Sequence, residues 1–95
     1  MKIYIAGKIE GDPGSRAKFE KISRVLEATG NIVLNPEGLP EGLTVEEYLR
    51  ICLVKIDVAD VVVFLLDWRL SGGAQLEKAY CDYTEKTYRI MEESR

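Results

Sequence analysis

Two carboxylates, Asp67 and Glu77, flank the stretch Ser71-Gly72-Gly73 near the carboxyl end of the chain. Asp67 could bind hydroxyl groups or act as an acid toward a leaving group, or be a solvated loop residue. Ser71 can cap a following helix while the glycines expose backbone N–H groups to a phosphate or a ribose hydroxyl, although an ordinary helix start accounts for the same residues. Glu77 lies about one turn into that helix and faces the same rim if Leu76 and Tyr80 supply the packed side; a lone helical glutamate is otherwise a solvated surface residue. Near the amino end, Gly7 permits close backbone approach of a ligand and the helix after it offers its positive end to an anion, but a glycine there can simply turn the chain. Lys8 and Arg16 are the nearest cations for a phosphate. Trp68 could stack on a planar ring or cover the edge of a sheet.

The rest of the sequence narrows the partners. Its 95 residues have room for one domain, expected over positions 1–95, with an ordinary globular composition. A net charge of −3, from 13 basic and 16 acidic residues in mixed order, provides no field of one sign to follow a nucleic acid polymer. Cys52 and Cys81 lack the spacing of a metal or redox pair and fall within apolar helical patterns, so both read as buried free thiols. The apolar run after Met1 is too short for a secretory leader and none elsewhere reaches membrane-spanning length; the expectation is a cytoplasmic protein without a membrane partner.

The elements that must position these residues alternate. Lys2 to Ala6 reads as a strand stopping at Gly7, and Asp12-Pro13 as the start of a helix carrying Phe19, Ile22, Val25 and Leu26 inward up to Gly30. Asn31 to Asn35 is a second strand ending at Pro36. Thr44 and Glu47 form a capping box for a second helix whose buried face is Val45, Leu49, Cys52, Leu53 and Ile56. Val61 to Leu66 is an unbroken apolar run, as in a central parallel strand covered on both faces. A third helix is expected from about Ala74 to Thr87, and a closing strand from Tyr88 to Met91. Alternation of this kind implies right-handed crossovers and a parallel sheet with ligands at the carboxyl ends of its strands, so the loops at Gly7, Pro36 and Asp67 share one rim.

Three segments, Tyr4-Ile5-Ala6-Gly7, Ala59-Asp60-Val61-Val62-Val63 and Ser71-Gly72-Gly73-Ala74-Gln75-Leu76-Glu77, together resemble the nucleoside 2-deoxyribosyltransferases and the related 2'-deoxynucleoside 5'-phosphate N-hydrolases. The likeness is closest to a branch of small bacterial and phage proteins that also have Asn-Pro after the second strand, here Asn35-Pro36, and a tryptophan after the third, here Trp68. The resemblance implies a small flavodoxin- or Rossmann-like α/β fold in three layers, with a parallel sheet of about four strands. It implies that Glu77 attacks the anomeric carbon, expels the base and forms a glycosyl-enzyme ester. Ser71 then matches a residue near a 5'-phosphate, Tyr4 one that borders sugar and base, and Gly7, Lys8 and Ile9 the loop that follows. Gly73, Trp68 and Asp67 complete the expected site, with Asp67 toward the sugar hydroxyls or the leaving base.

The chain departs from that pattern twice. Cys52 stands where those enzymes have an aspartate eight residues before the one at Asp60, and Gln75 where the larger ones have glycine. Asp57 is five residues further along the helix and points elsewhere. The expected function is cleavage or transfer at the N-glycosidic bond of a (deoxy)nucleoside 5'-monophosphate by a homo-oligomer, with Glu77 as nucleophile and no metal or organic cofactor. Cys52 favours the alternative, a non-catalytic protein that binds a nucleotide or sequesters a nucleotide-derived signal.

Overall fold

A computed structural model describes residues 1–91. Alternating side-chain direction in β1 (Lys2–Ala6) explains why the chain forms layers: Tyr4 and Ala6 point to one face of the sheet, Ile3 and Ile5 to the other. β3 (Val61–Phe64) repeats the pattern and is buried at every position. These two strands pair in parallel at the centre, with Ile3 opposite Val61 and Ala6 opposite Phe64. β2 (Ile32–Leu34) flanks β1 and β4 (Tyr88–Ile90) flanks β3, giving the order β2-β1-β3-β4 with every pair parallel.

Helix α1 (Ser15–Glu27) covers one face with Phe19 and Ile22 against Ile5 and Leu65. Helices α2 (Val45–Val58) and α3 (Gly72–Thr84) cover the other, with Cys52, Ile56 and Cys81 against Tyr4, Val62 and Phe64. The result is the expected three-layer α/β fold, small and Rossmann- or flavodoxin-like, with four parallel strands. Among the described residues no helix is long and apolar enough to cross a membrane.

The capping box forms as expected: the Thr44 hydroxyl accepts from Glu47 N at 3.1 Å and the Glu47 carboxylate accepts from Thr44 N at 2.9 Å. Other boundaries moved. Helix α1 starts at Ser15 rather than at Pro13, because Asp12 turns its carboxylate onto Gly14 N and Lys18 and so closes a tight loop. Val25 and Val45, expected inward, are exposed; the periodicity that placed them extends beyond the width of each buried stripe. β3 ends at Phe64, and Leu66–Leu70 forms a 3-10 turn leading into α3. Helix α3 begins two residues earlier than expected, since the Ser71 hydroxyl caps Ala74 N at 3.1 Å. It also stops three residues earlier, at Glu85, which takes a left-handed conformation with φ 57°.

That conformation costs a residue bearing a Cβ about 1 kcal/mol relative to glycine. Glu85→Gly should therefore raise the unfolding free energy by about 1 kcal/mol, read as a later urea midpoint at unchanged slope; an earlier midpoint would mean that the Glu85 side chain contributes more than its backbone costs.

Candidate functional site

The carboxyl ends of β1, β2 and β3 open onto a cavity of about 250 Å³. Four segments wall it. The loop after β1 contributes Gly7, Ile9 and Glu10, and the connection after β2 contributes Pro36 and Leu43. The first turns of α2 add Thr44, Val45, Tyr48 and Leu49, and the start of α3 adds Ser71, Gly73, Ala74 and Glu77. Its apolar side is thus made by α2 and the chain leading to it, and its polar side by α3 and the first loop.

Glu77 is the chemical centre of this wall. Helix α3 turns Ala74, Glu77 and Cys81 inward, so the carboxylate approaches the cavity from within the protein and is only 4 % exposed. Its Oε2 accepts a hydrogen bond from the Tyr4 hydroxyl at 2.6 Å. No other hydrogen bond forms to Glu77 among the described residues, and none of their buried side-chain oxygens lacks a partner, so Oε1 opens to the cavity. The arrangement differs from the expected packing. Leu76 is 46 % exposed and packs little, because the inward stripe of α3 runs through Glu77 itself.

Burial pushes the Glu77 carboxyl up to about 7, against the opposing pull of the Tyr4 hydrogen bond. Tyr4 is itself pushed far above the ordinary phenol range, first by burial and then by Glu77, and stays a donor. The Cys52 thiol lies beside the Tyr4 and Tyr48 hydroxyls with no exposed surface, and burial raises its pKa.

Tyr4 does not line the cavity but backs Glu77 from the sheet. Ser71, Gly73, Gly7 and Ile9 all lie on the wall with Glu77. Gly7 is required there: a Cβ would meet Asp67 Oδ1 and Leu65 Cδ1 at 3.0 Å. Asp67, Lys8 and Trp68 lie off the wall. Asp67 accepts from Lys8 N at 3.0 Å and from the Lys18 ammonium at 2.5 Å, so it ties the first loop down. Trp68 packs edge-on against Phe64 at 5.7 Å, with Arg69 and Lys78 over its ring, and so covers the core. Arg16 is exposed. Asp57 accepts from the Tyr80 hydroxyl at 2.7 Å, away from the cavity, and Asp60 accepts from Lys2 N at 2.7 Å at the opposite end of the sheet.

Sequence reasoning missed Tyr48, Glu10 and Lys18. Tyr48 could have been found by carrying the Cys52 face of α2 one turn back. Glu10 and Lys18 gave no signal, since their roles depend on how a loop folds. Among the described residues no group of three or more His, Cys, Asp or Glu side chains could hold a metal ion.

Glu77 has an ordinary carboxyl in the unfolded chain, at 4.5, and one near 7 in the fold. The folded state therefore keeps a proton that the unfolded state has lost across that interval. The contribution of Glu77 to stability is full below about pH 4.5 and should fall by about 3 kcal/mol as pH rises through 7. The chain has no histidine to mask the trend. Glu77→Gln should flatten it in urea titrations between those pH values; an unaltered slope would place the titration on another group.

A search of curated proteins finds no match to the chain. The family model described as Domain of unknown function (DUF4406) matches residues 1–89. Since that span takes in every described strand and helix apart from the end of β4, the chain belongs to the DUF4406 family.

Proposed function

We propose that the protein cleaves or exchanges the N-glycosidic bond of a (deoxy)nucleoside or its 5'-monophosphate through a covalent intermediate on Glu77. One observation carries the reading: a carboxyl buried in the wall of a cavity, with one oxygen held by Tyr4 and the other free. A desolvated carboxylate is a stronger nucleophile than a hydrated one, and the phenol orients it without taking its charge. Oε1 attacks the anomeric carbon as the bond to the base nitrogen breaks, and that electron pair leaves with the base. Water or a second base then attacks the same carbon and releases Glu77. The departing base takes its proton from water at the open mouth. Asp67 is a poor source, because an ammonium and an amide N–H both hold it as an acceptor. The apolar side formed by Leu43, Val45, Tyr48 and Leu49 suits a planar base, and the N–H groups at the start of α3 suit the sugar or its phosphate.

Cys52 supports a second reading, a binding protein without turnover. Where the similar enzymes carry a sugar-holding aspartate, this chain has a thiol that does not reach the cavity. One variant separates the two. If Glu77 is the nucleophile, Glu77→Gln lowers base release from a panel of nucleosides and their monophosphates by about a thousandfold or more, while ligand-induced melting shifts persist. Wild-type release should climb as pH rises through 7, because only the carboxylate attacks. Release by the Gln variant equal to wild type would end the catalytic assignment. Melting shifts on the panel without any release would establish the binder.

Self-association belongs to the same proposal. Val54 and Val58 of α2 and Leu76 and Tyr83 of α3 are exposed on one side of the sheet, with Tyr83 at 91 %. Light scattering at micromolar concentration should give a dimer or larger, and Tyr83→Glu should shift it toward monomer; a monomeric wild type would remove this part of the reading.

A further inference from the structure

Two loops of the cavity wall are pinned by side chains outside it, the first by Lys18 and the connection after β2 by Ser15 and Lys55. The pin on the first loop is the most concentrated. The Lys18 ammonium, on the first turn of α1, donates to Lys8 O at 2.8 Å, Asp12 Oδ2 at 2.7 Å and Asp67 Oδ2 at 2.5 Å. All three of its protons are thereby used. The other oxygen of Asp67 accepts from Lys8 N, so one ammonium and one carboxylate grip both backbone polar atoms of Lys8. At Gly7 the loop lies close enough to Asp67 and Leu65 that a Cβ would meet both at 3.0 Å. Lys18 is mostly buried; burial alone would lower its pKa, but the hydrogen bonds to Asp12 and Asp67 carry it above the ordinary value, so it stays charged.

We infer that Lys18 is a positioning residue that clamps the Gly7–Asp12 loop against the 3-10 turn and so sets the distance between the two polar walls of the cavity. One of those walls carries Ile9 and Glu10, and the 3-10 turn leads into the other, which carries Ser71 and Glu77. Without the ammonium, Asp12 and Asp67 are two like charges converging on one point. Their repulsion drives the loop away from the turn and widens the mouth. Glu77 keeps its bond to Tyr4, which does not pass through the clamp. Removing Lys18 should therefore weaken capture of the substrate while leaving the nucleophile intact.

The inference rests on the proposed reaction for its kinetic arm only. In Lys18→Met the Lys8 amide should exchange with solvent at least tenfold faster, while the amides of β1 and β3 keep their wild-type rates. With whichever nucleoside or monophosphate releases base, KM should rise about tenfold and kcat change less than about threefold. Lys18→Arg retains a charge that can bridge both carboxylates and should recover most of the loss in KM. Should Lys18→Met fail to fold, Asp12→Asn loosens the same ammonium and keeps the bond to Gly14, and it should speed Lys8 exchange to a smaller degree. Unchanged Lys8 exchange in the folded variant would overturn the clamp, as would a fall in kcat at constant KM or an Arg variant no better than Met. If no compound on the panel loses its base, the proposed reaction fails, and the exchange rates alone then decide the clamp.

Discussion

The contact between the Tyr4 hydroxyl and Glu77 Oε2 is the constraint around which the molecule is arranged. A carboxyl with almost no exposed surface is costly to bury, and a net hydrogen bond recovers only part of that cost. Two further features make it tolerable. The second oxygen opens to the cavity rather than to packed side chains, and the pKa rises to about 7, so the group can be neutral near physiological pH. A bond between the central strand of the sheet and the inward face of α3 also settles the rotation of that helix. Ala74 and Cys81 are buried because Glu77 is turned toward Tyr4, and Ser71 and Gly73 reach the wall for the same reason.

Around this centre the walls are held by α1, which contributes nothing to the cavity itself. Lys18 holds the first loop. Ser15 donates to Glu37 Oε2 at 3.0 Å, and Ser23 accepts from Asn35 Nδ2 at 3.3 Å, so α1 also holds the chain leaving β2. From the other face, Lys55 donates to Asn35 O at 2.9 Å and Tyr48 to Pro36 O at 3.1 Å. The loops gain order from polar contacts with helices already anchored by apolar packing. A small domain with little core to spare can build a binding rim in this way.

The layers were legible in the sequence because they depend on local pattern. The β-branched and aromatic run in Lys2 to Ala6, the unbroken run at Val61 and the Thr44–Glu47 box each point to one element, and each formed. Helix ends were less legible, since Asp12 and Glu85 are governed by side-chain bonds and backbone φ that no periodicity encodes. In the site, Glu77, Ser71, Gly73, Gly7 and Ile9 came together around one cavity. Asp67 and Trp68 did not join them, because each found a partner distant in sequence, Lys18 forty-nine positions away in one case and the ring of Phe64 in the other. A lone Asp after a strand looks the same whether it faces a ligand or a lysine.

Cys52 is the residue that bears most on the proposed chemistry, because the proposed relatives would carry a carboxylate there. A carboxylate at that place would put two anions within reach of one buried phenol, and two like charges in a dry site cannot both ionise near neutral pH. One would take a proton and compete with Glu77 for the Tyr4 hydroxyl. The thiol removes that competition: burial keeps it neutral, and among the described residues it leaves Glu77 and the solvent-facing Glu10 as the carboxylates lining the cavity. On the proposed reaction, what is lost is a charged hydrogen-bond acceptor for a sugar hydroxyl. On that reading a nucleophile without the acceptor must depend more on shape, on the apolar side made by α2 and on the closeness of the opposite wall to hold a sugar in line. In such a site the rigidity of the first loop matters more than it would beside a second carboxylate, and Lys18 provides that rigidity.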